Sequence, residues 1–184
     1  LALTPGSLVR GDHRAVERFY RDLAPRASLP VMLYSVPKFT AYELPLDAVE
    51  SLSRHPGIAG MKDSSGDAAR MEQIVNAAGD GFLVRTGSSA AVAACVEAGA
   101  GGCITASTNY APALVTKLVN AARARSHETT ELQIALTRLS RSIEAERVPG
   151  VKAAATAVGL KAGYPRRPLA PLSEARVAEI SALL

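Results

Sequence analysis

The order of apolar and polar positions divides the chain into short apolar runs alternating with longer periodic segments. Ala15, Val16, Phe19, Tyr20 and Leu23 recur at three- and four-residue intervals after Asp12, a good helix N-cap, and this spacing predicts an amphipathic helix. The runs on either side of it, "LALTP" and "LPVMLYSVP", are bounded by proline, too short for a globular helix, and read as strands. The alternation continues with a helix from about Pro45 to Arg54, carrying Leu46, Val49 and Leu52 on one face, and then the strand "IAGMK". A helix from about Asp67 to Ala78 with Met71, Ile74 and Val75 precedes the strand "FLVRTG". The small-residue helix "SAAVAACVEAG", the strand "GGCIT" and a helix from about Ala111 to Arg125 complete the series.

Strand starts near 30, 57, 81 and 102 lie 21 to 27 residues apart, close to the ~30 residues of a βαβ unit. Parallel strands need helical crossovers, so this rhythm predicts an α/β fold with a parallel sheet. An open doubly wound sheet and a (β/α)8 barrel both satisfy it. No G-x-G-x-x-G follows any strand, which removes the main support for a dinucleotide-binding open sheet and favours the barrel. Residues 1–125 are therefore expected to form about five βα units of a partial TIM barrel.

Beyond Ser126 the pattern is helical only, and residues 126–184 are expected to form a C-terminal helical appendage. Leu132, Ala135, Leu136, Leu139 and Ile143 form one predicted stripe, and "PGVKAAATAVGL" reads as a helix opened by Pro149 and closed by Gly159. Ser173 is the predicted N-cap of the last helix, with Glu174 in its first turn; Arg176 stands where a capping box would need Glu or Gln.

Composition narrows the function classes. Lys plus Arg number 21 against 17 Asp plus Glu, but the basic residues are scattered, aromatics make up 4% and tryptophan is absent. A nucleic-acid surface would need a basic stripe and stacking rings. Cys95 and Cys103 lack metal-ligand spacing and read as buried thiols of a reducing compartment; His13, His55 and His127 read as solvated helix ends, so no metal site is expected. No run has the ~20 apolar residues of a membrane span, and the expected setting is cytoplasmic.

Lys62 in "GMKDSSGD" ends a predicted strand, and ligands of parallel βα folds bind at the carboxyl ends of strands. Period-two alternation puts Lys62 on one face with Gly60 and Ile58. Burial disfavours a charged ammonium, leaving a neutral amine that can attack a ketone and form a Schiff base. The reaction needs a proton carrier, and Tyr34, 28 residues upstream at the end of the preceding strand, would lie beside it. The plainer reading is a solvated lysine and a packed tyrosine ring with a wet hydroxyl.

"PVMLYSVP", "HPGIAGMKDSSGD" and "VRTGSSAAVAACVEAGAGGCITASTN" resemble successive signatures of the dihydrodipicolinate synthase and N-acetylneuraminate lyase superfamily, the class I pyruvate aldolases. The resemblance implies that Lys62 forms the Schiff base with pyruvate or another 2-oxo acid and that Tyr34 relays protons. It implies that Ser64 lies near the distal substrate group and that Gly87 and Ile104 line the pyruvate pocket. Ser88 is a further candidate with a capping role as its alternative. No metal or organic cofactor is implied, and the family implies a homo-oligomer. "LYSVP" and "GMKDSSGD" look most like the 4-hydroxy-2-oxoglutarate aldolase branch. Phe39 stands where dihydrodipicolinate synthases place a substrate-binding arginine, with Lys38 beside it.

Two departures qualify that expectation. Gly6 and Ser7 stand where relatives commonly carry aromatic residues, one of them a relay tyrosine. The family's carboxylate-gripping motif precedes its fourth strand, where this chain begins, so three further units of roughly 30 residues each would be needed for a barrel. An N-terminally truncated aldolase is the first expectation. A catalytically inactive binding or assembly module is the second, and an unrelated small-molecule-binding α/β domain with an open sheet the third.

Overall fold

The computed structural model describes residues 1–6 and 12–184. Ser7 lies outside the described residues. Two compact units are present, Leu1–Ile104 and Thr105–Leu184.

In the first unit β1 (Ala2–Leu3), β2 (Val31–Ser35), β3 (Ile58–Asp63) and β4 (Leu83–Thr86) form one parallel sheet in chain order. Helices α1 (His13–Leu23), α2 (Pro37–Thr40), α3 (Leu46–Ser53), α4 (Ala68–Ala77) and α5 (Val92–Glu97) connect the strands or follow them. This is the α/β class expected, and sequential parallel order is that of consecutive units of a (β/α)8 barrel. The fifth predicted strand is reduced to a single bridge between Thr86 and Cys103. Its hydrogen bonds are nonetheless those of a parallel neighbour: Gly101 N to Val84 O at 3.0 Å, Thr86 N to Gly102 O at 3.1 Å and Ile104 N to Thr86 O at 2.8 Å. Gly102 has φ +140°, outside strand geometry, which interrupts the ladder. Cys103, on this last bridge, is half-buried and not buried as expected; Cys95 is buried.

One sheet face packs on the helices. Val31 and Leu33 of β2, Ile58 and Met61 of β3 and Val84 of β4 join Val16 and Tyr20 of α1, Val49 and Leu52 of α3, and Met71 and Ile74 of α4 in one core. Each fully buried side chain of this size contributes about 1.5–3 kcal/mol. Alternation leaves Leu3, Met32, Tyr34, Gly60, Lys62, Leu83 and Arg85 on the opposite, inner face. One expectation is corrected here. Val31 pairs with Ile58 but Met32 pairs with Gly60, so a bulge at Ala59 breaks the alternation. Ile58 consequently joins Met61 in the helix-side core and not Lys62 on the inner face.

The second unit contains α6 (Pro112–Arg123), α7 (Thr129–Glu144), α8 (Arg147–Ala157) and α9 (Glu174–Ser181). Its core includes Tyr110, Ile143, Ala154 and Ile180. The buried stripe of α7 is Thr129, Leu136, Ser140 and Ile143, and Ala135 is exposed. Leu136 and Ile143 of the expected stripe are buried, Leu139 packs against this core and Leu132 is half-buried, while Ser140, satisfied on Thr137 O at 3.3 Å, joins the buried side. Helix α8 starts at Arg147, two residues before Pro149, which the first turn accommodates. Ser173 Oγ caps α9 by accepting from Arg176 N at 3.3 Å, as expected. The Arg176 side chain, absent from any capping box, pairs with Glu146 at 2.9 Å and Glu179 at 2.6 Å. Among the described residues no helix is long and apolar enough to cross a membrane.

The short strand β1 is held by the buried Tyr20 of α1, whose hydroxyl donates to Ala2 O at 3.0 Å and lies 2.8 Å from Thr4 Oγ1. Tyr20→Phe is expected to cost ~1–3 kcal/mol in urea denaturation. It should also accelerate amide exchange at Thr4, whose N–H donates to Tyr34 O.

Candidate active site

Site geometry begins with Asp63, the last residue of β3, whose carboxylate is wholly buried on the helix side. It accepts from Arg70 Nε at 3.2 Å, from Ser65 N at 2.9 Å and from Ser65 Oγ. Arg70, in the first turn of α4, also donates to Leu44 O at 2.7 Å and pairs with Glu43 at 3.1 Å. Asp67 caps α4, accepting from Ala69 N at 2.9 Å and Arg70 N at 3.2 Å. Burying a carboxylate is costly unless it is paired and hydrogen-bonded, and these bonds fold residues 63–67 into one defined turn. The sequence pattern did not single out Asp63 or Arg70. The signal was there in an acid directly after the strand-ending lysine and a basic residue seven positions on, one helical turn into the capped helix.

The same strand end continues the ladder beyond the strands, with Ser64 N donating to Ser35 O at 2.9 Å and Gly87 N to Asp63 O at 2.7 Å. With Asp63 facing the helices, Lys62 faces inward. Tyr34 and Lys62 are register partners, and Lys62 Nζ lies 4.3 Å from the centroid of the Tyr34 ring. A cation above a ring face is attracted by the ring quadrupole. On the other side a Cβ built on Gly87 would lie 1.9 Å from Ser64 Oγ and 2.6 Å from Lys62 Cε. Gly87 thus brings β4 against both side chains, at a distance no other residue permits. Ser64 Oγ is buried without a hydrogen-bond partner among the described residues.

The structure therefore brings Lys62, Tyr34, Ser64 and Gly87 together. Ile104 is joined to them through its backbone, on the strand-end ladder at Thr86, and its side chain is half-buried. Ser88 opens a short helical turn without a side-chain capping bond, so the capping alternative is not realised. Gly6 has no room for an aromatic side chain: a Cβ there would lie 2.6 Å from Thr40 O and 2.8 Å from Tyr42 Cβ. Phe39 is 72% exposed, and Lys38 Nζ lies 6.0 Å from its ring centroid. His13 is not simply solvated: its Nδ1 is 2.8 Å from the Tyr42 hydroxyl, which burial holds up at about 12. Burial also pushes the Cys95 thiol up, which makes it a poor nucleophile. No group of three or more His, Cys, Asp or Glu that could hold a metal ion is found among the described residues.

Comparison with known proteins identifies the family and the fold. The profile of the Dihydrodipicolinate synthetase family matches residues 1–184. The 4-hydroxy-tetrahydrodipicolinate synthase of Methanosarcina mazei is 34% identical over 165 residues, covering 88% of this chain and 57% of the relative. The crystal structure of dihydrodipicolinate synthase from Bacillus anthracis is 27% identical with a TM-score of 0.85, over 93% of this chain and 59% of that one. KD(P)GA from T. tenax is 26% identical with a TM-score of 0.84, over 98% and 63%. The chain thus spans less than two thirds of the length of each of these relatives.

Gly87→Ala is expected to force Lys62 and Ser64 apart. Urea denaturation should show a loss of ~1–3 kcal/mol, and the rate of Lys62 acylation by a succinimidyl ester, followed by peptide mass spectrometry, should change.

Proposed function

Because the chain belongs to the Dihydrodipicolinate synthetase family, we propose that it carries the Schiff-base machinery of a class I aldolase or lyase acting on pyruvate-derived 2-oxo acids. One observation carries this reading: Lys62 Nζ lies over the Tyr34 ring at the carboxyl end of adjacent parallel strands, with Gly87 closed against its Cε.

The chemistry follows from these groups. The Lys62 amine, having passed its proton to the relay, adds to the keto carbon; with that proton returned, the carbonyl oxygen leaves as water as the iminium forms. In the cleavage direction the iminium draws in the electron pair of the bond between C3 and C4. That bond breaks to give an enamine and an aldehyde, while the C4 hydroxyl proton passes to the Tyr34 relay. Protonation of the enamine at C3 and hydrolysis of the iminium release the 2-oxo acid and regenerate the amine. Ser64 Oγ, buried and without a partner among the described residues, supplies a hydrogen bond to a substrate oxygen. The pocket wall formed by Gly87 and Ile104 faces the pyruvate end. The substrate in this reading is 4-hydroxy-2-oxoglutarate, supported by the wording of "LYSVP" and "GMKDSSGD"; Phe39, where dihydrodipicolinate synthases place an arginine, disfavours the synthase reaction. Neither metal nor organic cofactor takes part, the protein is cytoplasmic, and the assembly is a homo-oligomer.

The second reading is a catalytically silent binding or assembly module. It is favoured by the inner sheet face, where Leu3 is 50% and Leu83 45% exposed.

Borohydride reduction in the presence of pyruvate is expected to place the adduct on the Lys62 peptide and to fail in Lys62→Ala. Tyr34→Phe should slow retro-aldol turnover by ~10²–10⁴-fold. An unmodified Lys62 that still reacts with an acylating reagent would overturn the Schiff-base reading. Turnover by the 184-residue chain alone would reject the silent module.

A further inference from the structure

Two charged residues are buried among the described residues, Asp63 and Arg70. Pairing with Asp63 takes one arm of the guanidinium, Nε at 3.2 Å from Oδ2. The other two arms go elsewhere: Nη2 donates to Leu44 O at 2.7 Å, and Nη1 lies 3.1 Å from Glu43 Oε1. Both of these acceptors belong to segment 36–45, which leaves the carboxyl end of β2 directly after Tyr34 and Ser35 and leads into α3. Arg70 therefore joins the segments that follow two neighbouring strands, the 63–67 turn beyond Lys62 and segment 36–45 beyond Tyr34. Its planar guanidinium presents donors in a fixed fork, which an ammonium on a flexible stem does not reproduce. Neutralising Asp63 would need one arm; the other two are spent on the neighbouring segment.

Segment 36–45 is held in a conformation it would not keep alone. Ala41 has φ +50°, left-handed backbone that is unfavourable for a residue with a Cβ, and such strain persists only where the surroundings over-determine it. Thr40 Oγ1 lies 3.2 Å from Val36 O and 2.9 Å from Tyr42 O, and Tyr42 and Leu44 are buried in the helix-side core. Arg70 adds the tie to the strand end that carries the amine. We propose that Arg70 is a positioning residue for substrate selectivity: by tying segment 36–45 to the 63–67 turn it holds the rim against which the distal carbons of a longer 2-oxo acid rest. The proposal rests on the Schiff-base reading of Lys62. An acid condensed with Lys62 occupies the space at the carboxyl ends of the strands. Pyruvate is short enough to end beside the amine, whereas the further carbons of a longer acid reach the segments that follow β2 and β3. An Arg70 that served only to neutralise Asp63 would stabilise the fold and leave the choice between acids unchanged.

The test reads selectivity without requiring turnover. The protein and its variants are incubated with equimolar pyruvate and 2-oxoglutarate and reduced with borohydride, and the two adducts on the Lys62 peptide are quantified by mass spectrometry. Arg70→Lys keeps a cation for Asp63 but loses the fork. In this variant the 2-oxoglutarate adduct is expected to fall ~5-fold or more relative to the pyruvate adduct, while pyruvate trapping alone stays within ~2-fold of the parent. Glu43→Ala, which removes only the ion pair with segment 36–45 at a carboxylate that is half exposed, should shift the ratio in the same direction by less. An unchanged ratio in Arg70→Lys, a shift toward 2-oxoglutarate, or a parallel fall of both adducts with a loss of urea stability would overturn the proposal and leave the Schiff-base reading standing. Should Arg70→Lys fail to fold, an unchanged ratio in Glu43→Ala would overturn it alone. Absence of any pyruvate adduct on Lys62 of the parent protein would instead overturn the Schiff-base reading, and the proposal with it.

Discussion

A wholly buried carboxylate determines how this chain presents its amine. Asp63 cannot be left without partners in the helix-side layer, and Arg70, Ser65 N and Ser65 Oγ supply them. Satisfying it fixes the first turn of α4, the turn at 63–67 and, through Arg70, the backbone at Leu44. Because successive residues of a strand face opposite ways, the same constraint directs Lys62 inward. The ion pair and the amine are therefore two sides of one strand end.

The sheet has different physical characters on its two faces. Toward the helices it is closed, apolar and interlocked, with Met61, Val84, Leu33 and Ile74 in one core. Toward the interior it carries the functional groups, and there glycine decides what can approach. Gly87 brings β4 against Lys62 Cε and Ser64 Oγ, and Gly101 makes room for the Arg85 guanidinium. At both places a methyl group would displace a charged or polar side chain, so the spacing of the interior groups is set by absent side chains as much as by those present.

Family membership and partial length give this geometry its meaning. Among the described residues a parallel run of four strands and one bridge holds the lysine, the tyrosine and the strand-end turn in a single unit. The inner face on which these groups stand is nonetheless open to water at Leu3 and Leu83. The exposure of that face, not the placement of the amine, separates a catalytic reading from a silent one.

Much of the architecture was legible from local pattern. Strand and helix order, the caps Asp12 and Ser173, and the pairing level of Tyr34 with Lys62 all follow from periodicity and capping chemistry, which act over a few residues. The misses have a common cause. The bulge at Ala59, the exposure of Ala135 in α7 and the single bridge at Cys103 depend on what packs against each segment, which period counting does not contain. The Asp63 and Arg70 pair, the closeness of Gly87 to Lys62 and the turning of Arg85 toward Gly101 likewise join residues that only strand pairing brings together. By itself the sequence determined which segments are strands and helices and which side chains could react. Tertiary structure decided which face each residue took, because facing is settled by burial of neighbours distant along the chain.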